Sequence, residues 1–563
     1  MRKQKILIAF FSVFSVWTSM LFAQTQDYNE KVLVMAPYQP NLGTVDKVNI
    51  NPSYQDTSFD MQAIRYDVLS RPVAIVFPIE NIKPAKVTGE PISRLFSNHI
   101  KLGMGTYITP LAEVYLNTGR SKNKAAGVSY KHLSSFADLK GYDSIPTNTY
   151  KNDINIYGQY FTDAFTLGLD LYYLNEKVNC YGFNNDREFP SMLQKLEPQR
   201  WYNDVGGKFS IQDNAIKEDA LKYSADFRYN FNSTNWHTRE SNFEINGAIN
   251  ASLISNTKYM QSLKIGGKLF FADYLLIEAL DVPRTNYIQL RMEPTLDFTY
   301  SIFDLHAALR FNVYQEKEMK LMFSPVINVN VNVVKNVLSI YTGITGDVDR
   351  ITMESTIKEN PFLNPRISSQ LGFTRDKFSY YLELNASILK ELDFSFRAST
   401  HSLANYYCFD SYRYTYGVYS TVAYADFQYK TMNVFLLKLN ANLNYRLNDK
   451  ITASLDATYN YYTKDVFYKP AFEAELTFRY NIKDKFIVKT QVVGYTNMKA
   501  LDALNKPTIV KGAVDWSAGL EYLYSKRWSF FADFNNLIGQ RYFTWYDYPS
   551  YRFNFMLGAT FSF

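Results

Sequence analysis

The chain has 563 residues, with 60 Lys and Arg against 54 Asp and Glu, a formal charge of +6. That surplus is too modest for a nucleic-acid partner, and after the first two dozen residues no apolar run is long enough for a membrane-spanning helix. Yet 17% of the residues are aromatic and mean hydropathy is only slightly negative, at −0.26. Abundant Tyr and Phe favour strands, and aromatic residues collect at the two surfaces of a bilayer.

The amino terminus carries Arg2, Lys3 and Lys5, then an apolar run from Ile6 to Ala23. This is the pattern of an export signal over residues 1–23, with cleavage after Ala23. A retained anchor is the rival reading, but Ser12, Ser15, Thr18 and Ser19 interrupt the run. No Cys follows the site, so a lipid anchor is not expected. Residues 24–96 differ from the remainder of the chain. They hold Pro37, Pro40, Pro52, Pro72, Pro78, Pro84 and Pro91. Proline cannot donate to a strand ladder, so the stretch predicts an extended periplasmic or lumenal segment.

From Asn98 onward, alternating segments recur roughly every 20 residues. Leu102-Gly103-Met104-Gly105 is the first strand, not a phosphate loop, because no Lys follows at the required spacing. Val329, Val331 and Val333 alternate with Asn328, Asn330 and Asn332. Leu382, Leu384, Ala386 and Ile388 alternate with Glu383, Asn385 and Ser387. Leu392, Phe394 and Phe396 alternate with Asp393, Ser395 and Arg397. Phe435, Leu437, Leu439, Ala441, Leu443 and Tyr445 alternate with Leu436, Lys438, Asn440, Asn442, Asn444 and Arg446. Successive side chains in a strand point to opposite faces. One face suits hydrocarbon, and the other suits a solvated lumen. Lys438, Arg446, Arg397, Lys489 and Arg552 are expected to face inward, with Glu383, Asp393, Asp456 and Glu521.

The connections alternate in length. Asn448-Asp449-Lys450, Lys483-Asp484-Lys485, Ser525-Lys526-Arg527 and Lys335-Asn336 are tight turns. The stretches 132–152, 179–199, 347–377, 400–430, 498–511 and 540–549 read as long loops. Short periplasmic turns and long extracellular loops are the habit of outer-membrane barrels. The last segment, Tyr551–Phe563, sets Phe553, Phe555, Leu557, Ala559, Phe561 and Phe563 on one face and ends the chain on an aromatic residue. The fold class is all-β: a transmembrane antiparallel β-barrel of about 22 strands over residues 97–563, since backbone groups in lipid must all be paired.

The carboxy-terminal run Phe530-Phe531-Ala532-Asp533-Phe534-Asn535-Asn536-Leu537, with Tyr542, Trp545, Tyr546, Tyr548-Pro549 and the final strand, resembles the end of TonB-dependent receptors. Glu359-Asn360-Pro361-Phe362-Leu363-Asn364-Pro365 is similar to the Asn-Pro segment midway through such barrels. The resemblance covers residues 97–563 and implies a 22-stranded outer-membrane barrel. It also implies an amino-terminal plug domain, and the chain departs from the family there. The 24–95 stretch is shorter than such a plug and carries neither a plug-like motif nor a TonB-contacting box. An apparently plugless barrel needs another occluder: the Pro-rich segment, infolded loops or another protein.

No reactive constellation stands out. His99, His132, His237, His306 and His401 lack metal-ligand spacing, and no Gly-x-Ser-x-Gly elbow occurs. No cofactor and no enzymatic activity are expected. Cys180 and Cys408 fall in expected loops, and either a disulfide or two thiols fits. The one candidate ligand patch is aromatic: Tyr406, Tyr407, Tyr412 and Tyr414 in the 400–430 loop, where rings stack on a solute or simply extend the interfacial girdle. The functional expectation is a bacterial outer-membrane barrel, in contact with lipid, that binds or transports an unidentified solute without covalent chemistry. The alternative is a non-transporting barrel that scaffolds envelope partner proteins.

Overall fold

The computed structural model describes residues 96–563 except 137–138, 140–145, 183–198, 215–220, 237, 256–258, 277–284, 365–371, 416–422 and 503–505, and except the side chains of 252–255, 259–262, 274–276, 412–415 and 423–426. The expected signal at 1–23 and nearly all of the segment at 24–96 lie outside these residues.

Twenty-two strands form one antiparallel sheet that closes on itself. The first, His99–Gly105, pairs on one side with Thr109–Asn117 and on the other with the last, Asn554–Ser562. At the seam, Asn98 and Phe563 exchange backbone hydrogen bonds of 3.1 and 3.0 Å. Closure follows from the solvent: an open edge in hydrocarbon would leave a row of unpaired amides.

The period-2 pattern sorts the two faces as the sequence predicts. Met292, Phe311 and Phe323 are cross-strand neighbours, 52%, 38% and 53% exposed. Phe311 and Phe323 stack at 5.2 Å between ring centroids. Beside them Arg291 and Arg310 turn inward to the carboxylates of Asp347 and Glu293, and Asn312 accepts from Arg291. Such an apolar belt would aggregate in water, and it is stable against acyl chains. The inward charges expected from sequence meet partners: Arg397 with Glu383 at 3.3 Å and Lys489 with Glu521 at 3.9 Å. Asp456 accepts from Asn440 and Asn442, and Asp393 accepts from Ser387. Arg310 bridges Glu293 at 2.6 Å and Asp347 at 3.1 Å. Paired in this way, these lumen charges set up no field of a single sign.

One rim carries tight turns. Lys483 and Asp484 both adopt positive φ, 52° and 53°, in the three-residue turn between the paired Ile482 and Phe486. The opposite rim carries the long connections and is the mouth; in barrels of this kind that rim faces outside.

Three expectations need correction. The stretch 400–430 is not a loop but the upper part of a hairpin of two very long strands, Leu392–Thr415 and Ala423–Asn448. Cys408 therefore lies within a strand, fully buried, whereas Cys180 follows its strand, and the two form no disulfide. The last strand begins at Asn554, so Arg552 precedes it rather than facing inward from it.

Candidate functional site

The mouth is not open. Aromatic and aliphatic side chains from several connections pack into one buried cluster above the lumen. Tyr548 lies 3.9 Å from Phe362 and 5.1 Å from Tyr181 between ring centroids. Trp545 contacts Phe409, Phe427 and Tyr468 at 5.2, 5.3 and 4.9 Å. Two small hairpins stiffen this cap: Met498–Leu501 with Pro507–Val510, and Phe543–Trp545 with Tyr548–Pro549. The loop at 463–471 joins them, its Tyr468 amide donating to the Lys499 carbonyl at 2.9 Å. Burial pushes the Tyr468 phenol above its ordinary range, so it stays neutral.

Beneath the cap lies the connection between Leu338–Arg350 and Phe373–Leu389, described from Ile351 to Asn364. It begins with a short helix, Met353–Glu359, set by a capping box in which the Thr352 and Ser355 side chains each bond the other's backbone amide. Met353, Thr356 and Ile357 form its buried face, at the i, i+3, i+4 spacing of a helix. Asn360 to Asn364, the Asn-Pro segment singled out in the sequence, continues the connection.

Polar contacts tie this segment to two groups of strands. On the sixth to eighth strands, Arg228 reaches Glu354 at 3.1 Å and Asn230 donates to it at 3.2 Å. The Met353 amide donates to Glu240 at 2.8 Å. Glu240 in turn pairs with Arg350 at 3.3 Å, both side chains almost wholly buried. Arg200 donates to the Phe362 carbonyl. On the fifteenth and sixteenth strands and the loop after the seventeenth, the Tyr407 hydroxyl donates to Glu359 at 2.8 Å, and Lys469 pairs with the same carboxylate. Leu363 forms a bridge with Phe427, and the Asn364 amide donates to the Phe427 carbonyl at 2.8 Å. The sixth and fifteenth strands are nine apart in a ring of 22, close to diametrically opposite. The segment thus links the long hairpin to the sixth to eighth strands.

The candidate tyrosines occupy the long hairpin. Tyr407 engages Glu359, and Tyr406 stacks on Tyr462 at 6.3 Å. Tyr412 and Tyr414 pair through their backbones with Asp426 and Tyr424 near the hairpin tip. The short helix carried a detectable signal, the Thr352–Ser355 pair before an apolar stripe, that an alternating pattern does not reveal. Among the described residues, no group of three or more His, Cys, Asp or Glu is placed to hold a metal ion. His306 and His401 instead bond the aspartates Asp297 and Asp376 at 2.5 and 2.7 Å.

No protein-family model matches this sequence, and no curated protein matches it. Solved structures do. The siderophore receptor PirA from Acinetobacter baumannii is 12% identical, with a TM-score of 0.62, over 83% of this chain and 80% of that one. The ferric-catecholate import receptor Fiu from K12 E. coli is 10% identical, with a TM-score of 0.61, over 84% and 82%. FpvA of P. aeruginosa, solved with heterologous pyoverdines, is 11% identical at 0.61, over 83% and 72%. At such identities the likeness is one of fold. The fold is a closed 22-stranded antiparallel barrel like theirs, the barrel that the resemblance over residues 97–563 implies.

Proposed function

We propose that this chain is exported by residues 1–23 and serves in the bacterial outer membrane as a receptor and transport barrel of the TonB-dependent receptor type. It takes up a solute at the mouth and passes it along the lumen with no covalent step. The segment 351–364 is its gate. One observation carries this reading: the segment lies inside the mouth and is tied to the sixth to eighth strands and to the long hairpin by ion pairs and hydrogen bonds, contacts that exchange for water at modest net cost. The tyrosines of the long hairpin fit the same scheme. Tyr412 and Tyr414 stand near the tip where a solute arrives, and Tyr407 on the same hairpin holds the gate through Glu359. Solute on the hairpin and closure of the gate then compete for one element.

Single-channel recording in planar bilayers tests the proposal. The intact chain should be closed, or open only briefly. Replacing residues 352–363 by a short Gly-Ser linker should give a large, steady conductance. If the replaced barrel stays silent and the intact chain co-purifies with fixed envelope proteins under mild detergent, the scaffold reading holds instead.

A further inference from the structure

Outside the cap, a cleft of about 800 Å³ opens at the rim of the mouth, between the tenth to fourteenth strands and the long hairpin. That volume falls in the range of small-ligand sites. Tyr287, Ile351 and Phe373 lie beneath it, packed to 3%, 2% and 0% exposure. Its walls carry four charges that cancel, Glu316 and Glu318 against Lys317 and Lys320. Glu316 and Lys320 already pair with each other. Between them stand the uncharged groups of Asn286, Gln315, Asn405 and Thr431, which both donate and accept.

Asn405 is built into this wall. It has φ of 56°, a left-handed conformation that Asn adopts more readily than most residues. It sits in the bulge between Leu403 and Tyr406, where the hairpin changes register. Bulges re-aim side chains beside functional sites. Here the Asn405 amide points at Glu316, 3.5 Å away, while the Thr374 hydroxyl donates to the Asn405 carbonyl at 3.1 Å.

The cleft also touches the gate at both feet. Ile351 and Gly372, where the connection leaves and rejoins the wall, line it. Arg350 donates to both of their carbonyls, at 2.5 and 3.0 Å. Its guanidinium lies over the ring of Tyr287 at 3.6 Å, and its other side meets Glu240.

We propose that this cleft binds a neutral, polyhydroxylated ligand of the oligosaccharide class, and that Arg350 transmits its occupation to the gate. A cleft lined by carboxylate, amide and hydroxyl groups whose charges cancel matches a neutral ligand rich in hydroxyls, each of which both donates and accepts. An anionic chelate would face two glutamates without a surplus of positive charge. A ligand seated beside Ile351 and Gly372 bears on the two strand ends whose carbonyls Arg350 ties together. This inference rests on the reading of segment 351–364 as a gate.

The test is titration calorimetry on the full chain in detergent. The panel holds malto-, xylo- and chito-oligosaccharides, a ferric catecholate and a zwitterionic tripeptide. At least one neutral oligosaccharide should bind saturably. Asn405→Gly keeps the left-handed backbone and removes the amide; it should weaken that binding by about tenfold, the scale of one or two lost hydrogen bonds. Gln315→Ala should weaken it too, and both variants should retain the heat-modifiable mobility of a closed barrel. Binding of the catecholate or tripeptide alone, no binding to any oligosaccharide, or oligosaccharide binding indifferent to both variants overturns the proposal. The 352–363 replacement separates the two ideas. High conductance from it without sugar binding to the intact chain sinks only the cleft; sugar binding with no conductance sinks the gate.

Discussion

The two sides of the barrel wall are built to different heights. At the seam, the strands His99–Gly105 and Trp528–Asn535 have seven and eight residues, and the last has nine. A strand needs ~9–11 residues to cross a bilayer, so this side is little more than a membrane wall. On the far side, Leu392–Thr415 and Ala423–Asn448 have 24 and 26 residues. Their upper halves stand in the mouth with side chains such as Cys408, Phe409 and Phe427 fully buried. The comparison separates two tasks. The short side closes the ring and sends Trp545 and Tyr548 into the cap; the tall side adds Phe409 and Phe427 to it, one wall of the cleft and one anchor of the segment 351–364.

The largest effect is expected where the short side is tightest. Gly558 stands between Gly103 and Phe531 in register. A Cβ there would lie 2.2 Å from the Leu102 carbonyl oxygen and 2.3 Å from the Phe531 ring. Gly558→Val should therefore prevent closure. The assay is loss of the heat-modifiable band on electrophoresis, and normal closure would show that the seam tolerates a side chain. Next comes the gate replacement, which should leave the ring intact and raise conductance at least tenfold. A third variant, Arg350→Ala, leaves Glu240 buried without its ion pair. Removing one partner of a buried pair costs about 3–5 kcal/mol. The melting temperature of the mouth and the closed-state lifetime should both fall, and adding Glu240→Gln should recover part of the loss. The smallest effect belongs to Tyr407→Phe, which removes one hydrogen bond to Glu359 while Lys469 remains. At about 1 kcal/mol, openings should become roughly fivefold more frequent. If Tyr407→Phe opens the pore as fully as Arg350→Ala, the tall side holds the gate more strongly than its contacts imply.

The wall itself is legible in the sequence because its rule is local. A strand between lipid and water writes alternate residues in two alphabets, as Phe435–Arg446 and Asn328–Val333 do. The mouth obeys no such rule. The hairpin above Leu403 reads as a loop because its pattern answers to covers on both faces, not to lipid on one. The cap joins Tyr181 to Tyr548 and Phe427 to Trp545, partners far apart in the chain whose meeting depends on ring closure. The gate is half legible. The Asn-Pro segment stands out by resemblance, but nothing local says that Glu359 meets Lys469, 110 positions away. Cys408 reads as a loop residue for the same reason as its hairpin.

Closure through the first and last strands has a consequence for how the molecule is made. The ring is completed only when Asn554–Ser562, the last of the 22 strands in chain order, is laid beside His99–Gly105, the first. Until then two raw margins of amide and carbonyl groups wait, ready to template on any neighbouring strand. A truncation of only the final ten residues would leave that state permanent. Such a chain should clump or be degraded even though nearly every other contact in the wall and the mouth is encoded intact.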